Sequence, residues 1–130
     1  MRVSSRPRTS RETDADAGIA VIVAYYPPVD LRGFAGPNER FPALDCVKDK
    51  ESSISPLMFV DKNDPLTLLI HGDKDDLVPL SHSERMAAAF EKAGVDHGLV
   101  VIKDGDHGFC NPEHRAQATA AMVDWFVKHL

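Results

Sequence analysis

Two short stretches of the chain concentrate the groups that can move protons. One is 71-HGDKDD-76, which places three carboxylates and an imidazole behind the apolar run 66-LTLLI-70. The other is 104-DGDHGF-109, which follows 99-LVVI-102. A turn needs no more than one Asp or Asn to close it, so this density of charge asks for a chemical role. A carboxylate beside a histidine accepts a hydrogen bond from one ring nitrogen and fixes the tautomer. It also stabilises the imidazolium that forms when the other nitrogen takes a proton. Imidazoles titrate near neutrality, which suits one of these histidines to general-base work. Asp73, Asp75, Asp104 and Asp106 with His71 and His107 are also possible cation ligands. Neither loop has calcium-loop spacing, however, because Val78 and Phe109 stand where a Gly is required. No metal is expected.

The surrounding elements decide whether these loops meet. The run Ile19 to Tyr26 is β-rich and apolar at nearly every position, the pattern of a strand covered on both faces, and Pro27 and Pro28 stop it. Residues 66–70 and 99–102 are two further short apolar strands. A helix between them is signalled by Ser81 and Glu84 as a capping box, by Met86, Ala89, Phe90 and Ala93 at helical spacing, and by Gly94 as a left-handed stop. Asn111 and Pro112 open a C-terminal helix with Ala118, Met122, Trp125 and Phe126 on its apolar face. The order β, long excursion, β, α, β, α is an α/β layer architecture. Strands joined by a right-handed crossover share a C-terminal edge, so both loops open where ligands bind such sheets.

The excursion from Pro27 to Pro65 is long for a compact domain. Its Phe34, Phe41, Leu44, Leu57, Met58 and Phe59 are expected to pin it down rather than to line a pocket. Residues 1–17 carry four Arg among Ser, Thr and acidic residues, with almost nothing apolar, and read as a flexible leader. A mild, interspersed net charge of −5 gives no reason to expect nucleic acid. No apolar stretch reaches the ~20 residues of a membrane span. Cys46 and Cys110 fit no zinc or redox spacing, which is consistent with free thiols and a cytoplasmic setting.

Residues 56–109 contain, in order, a strand, the loop HGDKDDLVP, a helix, a second strand and the loop GDHGF. This succession resembles the C-terminal part of α/β-hydrolase-fold esterases of the acetyl-xylan and feruloyl type. Dienelactone hydrolases and prolyl oligopeptidase-type peptidases are more distant. The stretch 23-VAYYPPVDL-31 resembles the strand after the nucleophile region. The resemblance covers 18–130 and implies a partial α/β-hydrolase fold, a three-layer α/β/α sandwich with about three parallel strands. It implies that Asp75 is the catalytic acid and His107 the base of a Ser-His-Asp mechanism on a small-molecule ester, with no cofactor. Asp30, after the first strand, is a rival acid. Asp73 and Asp76 are expected to cap turn amides, and His71 to be a hydrogen-bonded structural residue.

The pattern's nucleophile is missing. A hydrolase of this kind places its Ser on a GxSxG elbow, and no serine in the chain has those flanking glycines. Ser52, Ser53 and Ser55 lie in the excursion, Ser81 reads as a helix cap, and Cys110 sits too close to His107 to replace the Ser. The residues therefore look like the last half of a hydrolase domain, as in a truncated gene product or a fragment. The alternatives are a catalytically silent remnant acting as an oligomerisation or complementing module, and a serine peptidase of the prolyl oligopeptidase type. An unpaired apolar edge on the first strand is expected to drive homo-oligomerisation.

Overall fold

Alternation along one central strand organises the whole molecule. The computed structural model describes residues 18–34, 39–44 and 48–130, so the leader expected over 1–17 lies outside the described residues, as does Cys46. Strands β1 (Val21–Tyr25), β2 (Leu66–Gly72) and β3 (His97–Ile102) form a parallel sheet in the order β1-β2-β3. From β2, Leu68 and Ile70 point to one face, where they pack with Ile102, Phe109 and Ala118. Leu69 points to the other face, against Phe90 and Val95. Helix α1 (Ser81–Ala93) covers the Leu69 face and helix α2 (Pro112–His129) the Leu68 face. The result is the expected α/β/α sandwich of three parallel strands.

Burial departs from expectation at the sheet edges. Residues 67–72 of β2 are all buried, as a central parallel strand should be. In contrast, β1 is only half covered, with Ile22 and the preceding Ile19 exposed. An apolar groove of about 360 Å³ lies over β1 on the α1 side, lined in part by Ile22, Ala24, Phe59 and Met86. The apolar run therefore does not signify a strand buried on both faces within the described residues.

The helix stops follow local chemistry, but one start does not. Gly94 adopts φ 76°, its N–H donates to Glu91 O, and the N–H of Val95 donates to Phe90 O. This is a Schellman arrangement, completed by packing of Phe90 with Val95. Asn111 Oδ1 accepts from the Glu113 N–H and Pro112 opens α2. The Ser81 capping box does not form. The chain is already helical at Leu80, whose carbonyl accepts the Glu84 N–H at 3.1 Å, so Ser81 lies inside the first turn.

The excursion is held against β1 and α1 by polar contacts as much as by apolar ones. The N–H of Leu57 donates to Val29 O, and the N–H of Leu31 donates to Ser55 Oγ. His82, on α1, accepts the N–H groups of Val29 and Asp30 at Nδ1. Phe34 packs edge-on against Phe41 and against His82, which is the pinning expected of both phenylalanines. Met58 and Phe59 are exposed instead, and Phe59 lines the groove.

Candidate active site

The two loops are zipped together by their backbones. Gly72 and Ile102 are register partners at the ends of β2 and β3. Beyond them, the N–H of Asp73 donates to Ile102 O and that of Lys74 to Gly105 O at 2.9 Å. Asp73 Oδ1 accepts the Asp104 N–H at 2.7 Å, so this carboxylate does cap an amide, but one in the opposite loop. No side chain fits between the strands' ends. A Cβ on Gly72 would collide with the Gly105 carbonyl, and one on Gly105 would press within 3.1 Å of Gly72 Cα.

Asp75 sits at the centre of this junction with its side chain wholly buried. Its Oδ1 accepts the N–H groups of Leu77 (3.0 Å) and Val78 (2.8 Å). The turn-capping role expected of Asp76 belongs to Asp75, and Asp76 is exposed with Arg40 bonded to its backbone carbonyl. Asp75 Oδ2 lies 2.8 Å from His107 Nδ1. A carboxylate can only accept, so Nδ1 carries the proton and Nε2 carries the lone pair. The His107 side chain is 28% exposed, and its Nε2 has no hydrogen-bond partner among the described residues. An imidazole held in this way can accept a proton from a group approaching Nε2, with the carboxylate stabilising the cation that results.

A second histidine shares the same carboxylate from beneath. His71 Nε2 is 2.7 Å from the Val78 carbonyl and 3.3 Å from Asp75 Oδ2, both acceptors, so it carries a proton. His71 Nδ1 then accepts the Ser83 hydroxyl at 2.7 Å. Ser83, His71 and Asp75 thus form a serine-histidine-carboxylate chain, but Ser83 and His71 are fully buried and no substrate reaches them. His71 is hydrogen-bonded at both nitrogens, as a structural residue should be.

Other groups of interest are engaged elsewhere. Asp30 is bound by Arg32 in bidentate fashion and by Arg85 at 2.7 Å, and Arg32 foremost holds its carboxyl well below the usual range. This ion cluster ties the loop after β1 to α1, and no contact joins Asp30 to His107. Ser55 is fully buried, donating to Glu51 O and accepting from Leu31 N–H, so its hydroxyl is occupied. A hydrogen bond to Asp106 pushes the exposed Cys110 thiol up, away from the nucleophilic thiolate. Among the described residues, no three His, Cys, Asp or Glu side chains converge as a metal site.

Sequence reasoning passed over Tyr26. Its ring centroid lies 4.2 Å from that of His107, and Phe109 packs edge-on behind it at 5.1 Å. Tyr26 (φ 38°), Asp104 (φ 59°) and Phe109 (φ 48°) are the non-glycine residues with left-handed backbone among those described, and all three lie at this sheet edge. Such conformations are costly and gather at functional sites. The one sequence signal was the double proline after Tyr26, read only as a stop.

The profile of the prolyl oligopeptidase family matches residues 15–130. A truncated form of a carbohydrate esterase from gut microbiota superposes on 85% of this chain with a TM-score of 0.70 and 30% identity; the match covers 42% of that structure. Acylamino-acid-releasing enzyme 1 of Oryza sativa subsp. japonica is 26% identical over 104 residues, 78% of this chain and 13% of that protein. Non-reducing polyketide synthase ascC of Acremonium egyptiacum is 35% identical over 81 residues, 61% of this chain and 4% of the synthase. The chain thus spans less than half of the solved esterase and a small part of the two longer proteins.

Proposed function

The chain belongs to the prolyl oligopeptidase family, within the α/β-hydrolase superfamily, and from that premise we propose that it supplies the acid and base of a carboxylic-ester hydrolase. Asp75 orients His107, and His107 Nε2 takes the proton of the attacking hydroxyl. The ester carbonyl becomes an acyl intermediate, His107 returns the proton to the leaving alcohol, and the same nitrogen activates the water that releases the acid. The single observation that carries this reading is the 2.8 Å contact of His107 Nδ1 with a buried carboxylate while the ring stays partly exposed. No cofactor enters the scheme. The chain has no GxSxG, so the proposal names no attacking serine in it, and in the purified chain His107 is proposed to activate water.

Ester rather than peptide is favoured by the 30% identity to a carbohydrate esterase; the peptidase reading draws on the family and on the acylamino-acid-releasing enzyme. Hydrolysis of p-nitrophenyl acetate and of an acyl-amino-acid p-nitroanilide by the purified chain separates them. The expected result is acceleration over buffer with the ester alone. Cleavage of the anilide at a comparable rate would favour the peptidase.

A second reading, a catalytically silent module that assembles through its sheet edge, is favoured by the exposed Ile19 and Ile22 beside the groove. A second copy pairing along β1 would cover them. No helix among the described residues is long and apolar enough to cross a membrane. A cytoplasmic setting belongs to the proposal, supported by the free thiol of Cys110.

A further inference from the structure

We propose that Tyr26 is a positioning residue for His107, a role that rests on reading His107 as the base. Asp75 fixes one edge of the imidazole, but one hydrogen bond leaves the ring free to rock about it. The Tyr26 ring restricts that freedom, lying 4.2 Å away between centroids and tilted by 51°. Its electron-rich face also attracts the imidazolium that forms on proton uptake, as aromatic rings attract cations within about 6 Å.

The placement is built into the backbone. β1 pairs with β2 as far as Tyr25 and Ile70, and the Tyr26 N–H still donates to Ile70 O at 2.7 Å. A continuing strand would send the side chain along the usual alternation. The left-handed turn at φ 38° redirects it toward the loop that holds His107. Phe109, itself left-handed and 1% exposed, backs the ring at 5.1 Å, and Tyr25 packs on both at 6.0 and 5.7 Å. A tyrosine held in a disfavoured conformation against one histidine by two further aromatics is over-determined, which is how strain persists at a working site.

The test is imidazole nitrogen-15 NMR on the full chain, comparing wild type, Tyr26→Phe and Tyr26→Asn. Asn tolerates left-handed backbone while removing the ring. Wild type and Tyr26→Phe should show His107 as a single Nδ1–H tautomer. In Tyr26→Asn the tautomer should mix, and the Nδ1 proton should exchange about two- to tenfold faster, the effect of losing one aromatic contact. His71 signals should stay fixed in all three. Unchanged His107 signals in Tyr26→Asn would overturn the assignment, as would a Tyr26→Phe spectrum like that of Tyr26→Asn. If Tyr26→Asn does not fold, as loss of the His71 signals would reveal, Tyr26→Phe decides alone: retained His107 tautomer and shielding support the role, and their loss overturns it. Failure of the base assignment is read separately, as ester hydrolysis indifferent to His107→Ala.

Discussion

At the residue scale, Asp75 carries more than one duty. The same carboxylate accepts two turn amides, His107 and His71. Asp75→Asn keeps an oxygen for the amides but turns an NH₂ toward two histidine donors. One donor must rotate away or lose its proton, so His107 should change tautomer. Ester hydrolysis should then fall about tenfold or more, toward the level left when the base itself is removed. Stability should fall by about 1–3 kcal/mol for the buried donor left unpaired, measured as a denaturant midpoint. An Asn variant with wild-type rate and midpoint would deny Asp75 both roles. Resemblance pointed to Asp75 and His107, whose side chains lie 2.8 Å apart in the structure. It did not reveal Tyr26, since a ring contact made by a left-handed turn leaves no spacing to read.

At the element scale, two junctions set the geometry. The first is the contact of the loops after β2 and β3, where Gly72 meets the Gly105 backbone. Gly72→Ala must force these loops apart, since the obstacle is main chain and cannot swing away. We expect a loss of several kcal/mol, comparable to severe overpacking, together with loss of the His107–Asp75 contact in NMR. A wild-type melting temperature would contradict the close approach. The second junction is His82, whose Nδ1 must stay unprotonated to accept the Val29 and Asp30 amides. Burial, aided by Arg85, lowers its titration point below the ordinary value of about 6.5. The unfolded chain therefore binds more protons at that site, and stability should drop as pH falls through about 6.5. His82→Gln keeps an acceptor that does not titrate and should flatten melting temperatures between pH 7.5 and 5.5; an unchanged slope would contradict this. Asp30, held low by Arg32 and Arg85, acts in a separate window: its contribution is present above about 4 and is lost only in stronger acid.

Helix ends were legible in proportion to how local their causes are. Gly94 and Asn111 act through neighbours within about a helical turn, and both form as read. Ser81 failed because the preceding turn, with Pro79 O accepting the His82 N–H, had already started the helix.

At the scale of the whole molecule, the layers were legible because apolar runs of strand length alternate with helical periodicity. Burial of β1 was not, since it depends on what lies beyond its outer edge rather than on its own composition. The exposed Ile22 of β1 and Ile19 just before it make a concrete prediction: sedimentation should show association that grows with concentration and that Ile22→Lys suppresses. A monomer at every concentration would remove the edge as an assembly surface.

His107, held by Asp75, is proposed as a working base, and the rate of p-nitrophenyl acetate hydrolysis by wild type and by His107→Ala decides whether it is one. Wild type should hydrolyse the ester faster than buffer does, and the variant should fall about tenfold or more toward background, in keeping with the contribution of a positioned acid–base group. Equal rates in two folded proteins would contradict that proposal.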